Sequence, residues 1–425
     1  MLKSIKIKNF KSVQDLEIEL GRVNVFIGEN GCGKTSILEA IGLASAAISN
    51  KLDQEFLVSR GIRVSEPRLM KSAFSRPGDK DAIQIKLTNE FDNYIEYLID
   101  YKNKNLQVLD TLANNILSDR EVLYSKAFVD LQQNEKLQED LTERLVSRAV
   151  MLKKDSTTKD EIKEIVDFEL KKFLDEYLIG KNESGQNILS EPSVEYQRSR
   201  KPRAFNFESF LIYTPENYFL RRFEEEGQIS PIGVRGEGLF KHLVELFKTD
   251  TAFGNEIDQN LKLISWFEGI EIPPDLAFTE MRLNIKDRFL KDTIDFFDQR
   301  SANEGFLYLL FYFTLFLSKE TPEFFAIDNI DNALNPKLCK ELVQRLTTLA
   351  KEKEKQVILT THNPSILDGI DLKDDDQRLF VIFRNADGHT KAKRVKAPKD
   401  IDGIETVRLS EAFIRGYIGG LPKNF

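Results

Sequence analysis

The sequence predicts an α/β fold: a mostly parallel sheet covered by helices, an antiparallel β lobe, and a short helical hairpin inserted between the two halves. Three observations predict it. Residues 23–27 run apolar into a glycine-rich turn, and a helical pattern leaves that turn. From residue 306 onward the chain alternates helix, strand, helix, strand, the order that builds a parallel sheet under helices. Between 131 and 180 a charged stretch carries its apolar residues at helical spacing, the mark of an amphipathic hairpin rather than of a sheet.

The elements follow in order. Residues 2–10 and 15–20 alternate like half-buried strands, and 23–27 reads as a buried one. A helix is expected from Lys34 to about Ser49. Residues 81–88 and 94–101 form a further antiparallel pair, closed by the polar run Lys102-Asn103-Lys104-Asn105. In the hairpin, Leu137, Leu141, Leu145 and Val146 share one face, as do Ile162, Ile165, Val166, Phe173, Leu174, Tyr177 and Leu178 after the break at 155–159. Each arm reaches only about 30 Å by helical rise, and whether it binds a partner or packs on its own chain stays open. Residues 306–317 are apolar on all sides and predict a core helix; FFAID and QVILTT read as buried strands flanking the amphipathic PKLCKELVQRLTTLAKEK. The resulting division is 1–110 as an N-terminal half, 111–205 as the insertion with its hairpin at about 131–180, and 206–425 as a C-terminal half.

Composition excludes several classes. With 41% hydrophobic and 31% charged residues the 425-residue chain buries a core, so global disorder is out. Its 61 basic and 69 acidic residues give −8, so nucleic-acid contact needs a local patch. The basic clusters Arg198, Arg200, Lys201, Arg203 and Lys391, Lys393, Arg394, Lys396 are the candidates, with solvated loop faces as the plainer reading. Two cysteines, Cys32 and Cys339, and three histidines, His242, His362 and His389, leave no disulfide framework or Cys- or His-rich metal centre. The apolar run 306–317 spans about 18 Å as a helix, against roughly 30 Å of hydrocarbon. With a strand-like N-terminus in place of a signal peptide, the expectation is a cytoplasmic protein without a membrane span.

Gly28-Glu29-Asn30-Gly31-Cys32-Gly33-Lys34-Thr35 fits G-x-x-x-x-G-K-[ST] between a strand and a helix. The glycines let backbone N–H groups curl around phosphate oxygens, and the helix N-terminus adds partial positive charge. Lys34 is then the residue for the β and γ phosphates and Thr35 the hydroxyl for magnesium. Asp328, at the end of the 324–327 strand, supplies the second oxygen for the metal. His362 ends the next buried strand, where it can sense the third phosphate or position water.

Together these residues resemble the P-loop, ABC-type ATPase heads of the RecF, SMC and OLD group, and most of all compact AAA members that serve as ATPase subunits of bacterial phage-defence systems of PARIS and Rlo type. KNFKSV resembles that group's opening strand-turn, GENGCGKT its Walker A motif, FFAIDNIDNALNP its Walker B and D-loop, and TTHNPSILDG its switch-histidine segment. Strong similarity covers about 1–50 and 300–370. The resemblance implies ATP and Mg2+ as ligands, with Lys11, Asn30, Gly31, Cys32, Gly33, Lys34, Thr35 and Ser36 around the nucleotide and Thr35 and Asp328 on the metal. It also implies a signature motif acting in trans, for which Ser301, Asn303 and Gly305 are the candidates. Asn303 stands two residues before the glycine and Ser301 four, so which side chain faces phosphate stays open, an ordinary helix cap included. Nucleotide-sandwich homodimers, or higher homo-oligomers, follow from such a motif.

Members of the group carry glutamate directly after the Walker B aspartate; this chain has Asn329. An amide orients water but cannot accept its proton. Either Asp331 takes over that work or hydrolysis is slow and ATP holds the dimer closed, and slow turnover is the favoured reading. The tail 407–425 resembles the closing segment of defence ATPases, either docking a partner or packing at home. Sixty-three residues follow His362, too few for the Toprim nuclease domain of OLD proteins, which points to a separate effector chain. The function expected is therefore an ATP-driven switch or scaffold subunit controlling an effector in anti-phage defence. The alternative is a RecF-like DNA-repair ATPase. A small-molecule P-loop kinase is disfavoured, since it needs neither the histidine segment nor a signature helix.

Overall fold

The computed structural model describes residues 1–49, 51–64, 66–72, 82–102, 105–113, 207–223, 229–273, 282–291, 294–397 and 407–419. The chain divides into two units, Met1–Asn114 with Asn206–Phe425, and Asn115–Phe205. The described residues belong to the first. The helical hairpin expected at 131–180 and the basic cluster at Arg198–Arg203 lie outside them.

Alternation sets the lobe. β1 (Leu2–Phe10) buries Leu2, Ile5 and Ile7, and β2 (Val13–Glu19) buries Val13, Leu16 and Ile18. β3 (Val23–Ile27) is buried throughout and belongs to the other sheet. α1 (Lys34–Ile48) packs against strands of both sheets, which is why its apolar residues surround it rather than forming one stripe. Two short helices, α2 (Gln54–Ser59) and α3 (Pro67–Met70), precede β4 (Ile83–Asn89), β5 (Tyr94–Lys102) and β6 (Asn105–Ala113). The lobe is an antiparallel sheet in the order β2-β1-β4-β5-β6. β6 goes beyond the sequence reading: its Leu109 and Leu112 are exposed on the edge, which hides the apolar–polar alternation that marks a strand.

The core sheet runs β13-β12-β3-β11-β10-β7, all parallel except the β12–β13 hairpin. β7 is Ile212–Tyr213; α4 (Leu239–Thr249), α5 (Thr251–Leu261), and the pair β8 (Phe267–Glu271) and β9 (Asn284–Asp287) follow it. α6 (Glu304–Leu317) buries every residue from Phe306 to Leu317. β10 (Phe324–Ile327), α7 (Pro336–Glu352) and β11 (Gln356–Thr361) complete the expected alternation. β12 (Gln377–Arg384), β13 (Thr390–Val395) and α8 (Leu409–Ile414) end the described chain. The basic run at 391–396 is thus mostly a paired edge strand: Lys391 donates to the Asp15 carbonyl at 3.1 Å and Arg394 pairs with Asp375 at 2.6 Å. α8 is tied down by Ser410, whose N and Oγ both bond Asp368, and by buried Phe413.

Buried polar groups join lobe to core. Gln356 Nε2 donates to the carbonyls of Leu2 and Gly21, both at 2.8 Å, and its Oε1 accepts from Leu2 N at 2.8 Å. Thr390 Oγ1 lies 2.8 Å from Ser12 Oγ and 2.9 Å from the Cys32 carbonyl, fastening the glycine turn to the β1–β2 turn. No helix among the described residues is long and apolar enough to cross a membrane.

Candidate nucleotide-binding site

The glycine turn joins β3 to α1 at the carboxyl end of the parallel strands, where α/β sheets bind ligands. Space requires two of its glycines, and conformation requires Gly33 as well. A Cβ at Gly28 would lie 2.0 Å from the Ile382 carbonyl oxygen, and one at Gly33, whose φ is +107°, 2.1 Å from Thr390 Oγ1. Asn30 and Gly31 are exposed at the tip of the turn, while Cys32, Gly33 and Lys34 are buried beneath it. Gly33 starts α1 with no side chain to bond the first-turn N–H groups, and no acidic residue stands in that turn. Those donors are what a phosphate takes up.

Lys34 folds back over the turn. Its Nζ donates to the Gly28 carbonyl at 2.8 Å and the Glu29 carbonyl at 3.1 Å, and lies 3.3 Å from His362 Nδ1. Burial pushes the Lys34 ammonium down, against the pull of Cys32, Asp328, Asp331 and Glu29. Burial and then the Lys34 charge push His362 down as well, which favours its neutral ring. The same burial raises the Cys32 thiol, which keeps it protonated and inert.

The carboxylate beside the turn is held from two sides. Thr35 Oγ1 donates to Asp328 Oδ2 at 3.0 Å, and Thr360 Oγ1 donates to Oδ1. The Thr360 hydroxyl also accepts from Asn329 N at 2.9 Å. Two hard oxygens at hydrogen-bond distance suit Mg2+, which takes one or two protein ligands and fills the rest with water and phosphate. Asn329 has φ +57°, a left-handed conformation that asparagine tolerates better than most residues. Asp331 is turned to the neighbouring strand: its Oδ1 accepts from Thr361 Oγ1 at 2.6 Å.

The other sequence candidates have partners of their own. Lys11, with φ +47°, bonds Glu39 Oε2 at 2.7 Å and the Arg63 carbonyl at 3.3 Å. Ser36 is half-buried in the first turn of α1. Asn303 is the N-cap of α6, its Oδ1 accepting from Phe306 N at 2.9 Å, whereas the Ser301 hydroxyl is taken by Asp298 at 3.2 Å. A Cβ at Gly305 would lie 3.1 Å from the Ala333 carbonyl oxygen. Asn303 and Gly305 line a separate cavity of about 590 Å3, with Trp266, Asn335 and Lys337.

The fold adds residues that sequence reasoning missed. Glu39, on α1 and 0% exposed, grips Lys11 and also Arg63, through its Nε at 3.0 Å and its N at 3.1 Å. A lone glutamate on an otherwise apolar helix was the signal available. Thr360 and Thr361, a hydroxyl pair ending a buried strand, were legible in the same way. Arg221 was not: from a 3-10 turn after β7 its Nη1 donates to the carbonyls of Gln299, Arg300 and Ala302 at 3.3, 2.7 and 2.8 Å. Those contacts hold the loop before α6, and Asn217, bonded to Arg221, also bonds Glu304.

Known proteins are similar to parts of this chain. The DNA replication and repair protein RecF of Listeria monocytogenes serotype 4b (strain CLIP80459) is 32% identical over 92 residues, 21% of this chain and 24% of that protein. The OLD nuclease of Thermus scotoductus (strain ATCC 700910 / SA-01) is 37% identical over 62 residues, 13% of this chain and 12% of that one. The matches therefore span a quarter or less of these relatives' lengths. Among solved structures, an SMC head bound to the C-winged helix domain of ScpA is similar at TM-score 0.48 and 15% identity, covering 93% of this chain and 98% of the other. A family model matches far more of the sequence: on residues 23–368, the chain belongs to the family described as AAA domain, putative AbiEii toxin, Type IV TA system.

Proposed function

We propose that the chain binds ATP with Mg2+ and hydrolyses it slowly, and that nucleotide-closed homodimers of its heads act as a switch or scaffold for a separate effector in anti-phage defence. The observation that carries the nucleotide reading is the convergence of Lys34 Nζ, His362 Nδ1 at 3.3 Å, and the Thr35–Asp328 pair at 3.0 Å on one uncapped helix start. Bound there, Mg2+ would be held by Thr35 and Asp328 and would neutralise charge on the phosphates. Lys34, released from the Gly28 and Glu29 carbonyls, meets the terminal phosphates, and the first-turn N–H groups bond their oxygens. His362, neutral beside Lys34, is placed to orient water or sense the third phosphate. Asn329 offers that water an amide. Asp331, committed to Thr361, is poorly placed to take its proton, which supports slow turnover.

Closure in trans rests on the resemblance and on the α6 start lying in a different cavity from Thr35 and Asp328. The RecF-like reading gains little from the charge pattern, because the chain carries −8 and Arg394 is paired with Asp375. The test combines three measurements. ATP binding is expected in wild type and lost in Lys34→Ala; size-exclusion chromatography is expected to show an ATP-dependent oligomer; single-turnover cleavage is expected to be slow. Fast cleavage abolished by Asp331→Ala would overturn the slow-switch reading. An unchanged ATP affinity in Lys34→Ala would overturn the site itself.

A further inference from the structure

A cavity of about 690 Å3 has Thr35 and Asp328 on its wall, together with Arg63, Arg235, Glu216 and Glu237. Its two guanidiniums are anchored alike. Arg63 Nε donates to Glu39 Oε1 at 3.0 Å, and Arg235 Nε donates to Glu237 Oε1 at 2.8 Å. Glu237 Oε2 accepts from Arg235 N at 2.9 Å, and the Arg235 guanidinium stacks 4.1 Å from the Phe219 ring centroid. Both anchoring carboxylates are buried, with side-chain exposures of 0% for Glu39 and 8% for Glu237. Anchoring at Nε fixes the plane of a guanidinium and leaves its terminal nitrogens for a tetrahedral oxyanion.

The remaining charges decide what such a pair can receive. Glu237 is committed to Arg235, and Asp328 is the carboxylate offered to the cation. Arg63 shares the cavity wall with Thr35 and Asp328, which puts one guanidinium in the same cavity as the pair proposed to hold the metal. Glu216 is the remaining acid on the wall, and its repulsion shortens the stay of a doubly charged anion. A site with two guanidiniums, each bonded at Nε to a buried carboxylate but largely exposed, and one opposing carboxylate suits a product in transit better than a permanent ligand.

We propose that this cavity receives the inorganic phosphate cut from ATP, with Arg63 and Arg235 as its receiving pair, so that phosphate departs on the Asp328 side rather than back across Lys34. The proposal rests on the ATPase reading above. In that reaction a water oxygen bonds the γ-phosphorus while the bond to the β–γ bridging oxygen breaks. The bridging electron pair stays with ADP, and the products are ADP, hydrogen phosphate and a proton. Nothing in the proposal needs a further reactant.

The experiment titrates inorganic phosphate calorimetrically into wild type, Arg235→Ala and Arg235→Lys, each saturated with ADP and Mg2+ and each checked for folding by thermal melting. Phosphate affinity is expected to fall about tenfold in Arg235→Ala and less in Arg235→Lys, which keeps the charge but loses the fork. ADP affinity is expected to be the same in all three. A parallel single-turnover reaction compares acid-quenched cleavage with phosphate release seen by a fluorescent phosphate sensor; release is expected to change in Arg235→Ala while cleavage does not. Equal phosphate affinity in wild type and Arg235→Ala, or no phosphate binding to the ADP-loaded protein, overturns the proposal. Failure of wild type to bind ADP overturns the nucleotide reading instead.

Discussion

Replacing Glu39 by alanine tests whether the opening strand-turn is held to α1 by charge. The Glu39 side chain is 0% exposed and bonds Lys11 at 2.7 Å and Arg63 at 3.0 Å, while those partners are 16% and 71% exposed. Removing one member of a buried pair costs about 3–5 kcal/mol, chiefly because the remaining charge stays buried without a partner. Lys11 is not wholly buried, so the lower end, about 3 kcal/mol, applies to it. The exposed Arg63 contact adds only about 0–1 kcal/mol. The prediction is therefore a loss of about 3–4 kcal/mol in Glu39→Ala, and a smaller loss in Glu39→Gln, which keeps an acceptor. Lys11→Met placed on Glu39→Ala should recover part of the loss, with a coupling of roughly 1–3 kcal/mol. Urea unfolding followed by the fluorescence of Trp266, the chain's single tryptophan, measures Glu39→Gln and the four proteins of the cycle: wild type, Glu39→Ala, Lys11→Met and the double variant. Additive single and double substitutions, with coupling below about 0.5 kcal/mol, would refute the claim that Glu39 is what keeps Lys11 in place.

The Lys34 ammonium is pushed down by burial in the free protein, whereas a triphosphate favours its charged form. Because the nucleotide-bound state then has the higher pKa, binding takes up protons above the free-state pKa, and ATP affinity falls as pH climbs through the alkaline range. Calorimetry across the alkaline range in two buffers of different ionisation enthalpy measures that uptake; proton release, or affinity rising with pH, would contradict it. Arg221→Ala removes the donor shared by the Gln299, Arg300 and Ala302 carbonyls, an expected loss of about 2 kcal/mol for bonds from a charged group. Amide exchange at 300–306 should speed by about tenfold or more while β3 amides keep their protection, and unchanged exchange at the α6 start would show that Arg221 does not hold that loop.

The sequence by itself determined the strand–glycine turn–helix at 23–48, the buried strands ending at Asp328 and near His362, and the fully apolar helix at 306–317. Each is encoded locally, by glycines that a close backbone approach demands, or by apolar runs whose length and spacing allow one kind of element. Parallel strands share an end, so Asp328 and His362 were bound to face the glycine turn once their strands belonged to its sheet. Only the tertiary structure decided which strands those are, since β3 pairs with β11 and β12, more than three hundred residues away. It alone placed Glu39 between Lys11 and Arg63, gave Thr360 to Asp328, and put the α6 start in a separate cavity from Thr35 and Asp328. The physical reason is range: periodicity reports which face of an element is buried, while the partner that covers a buried charge is fixed by packing across the whole chain.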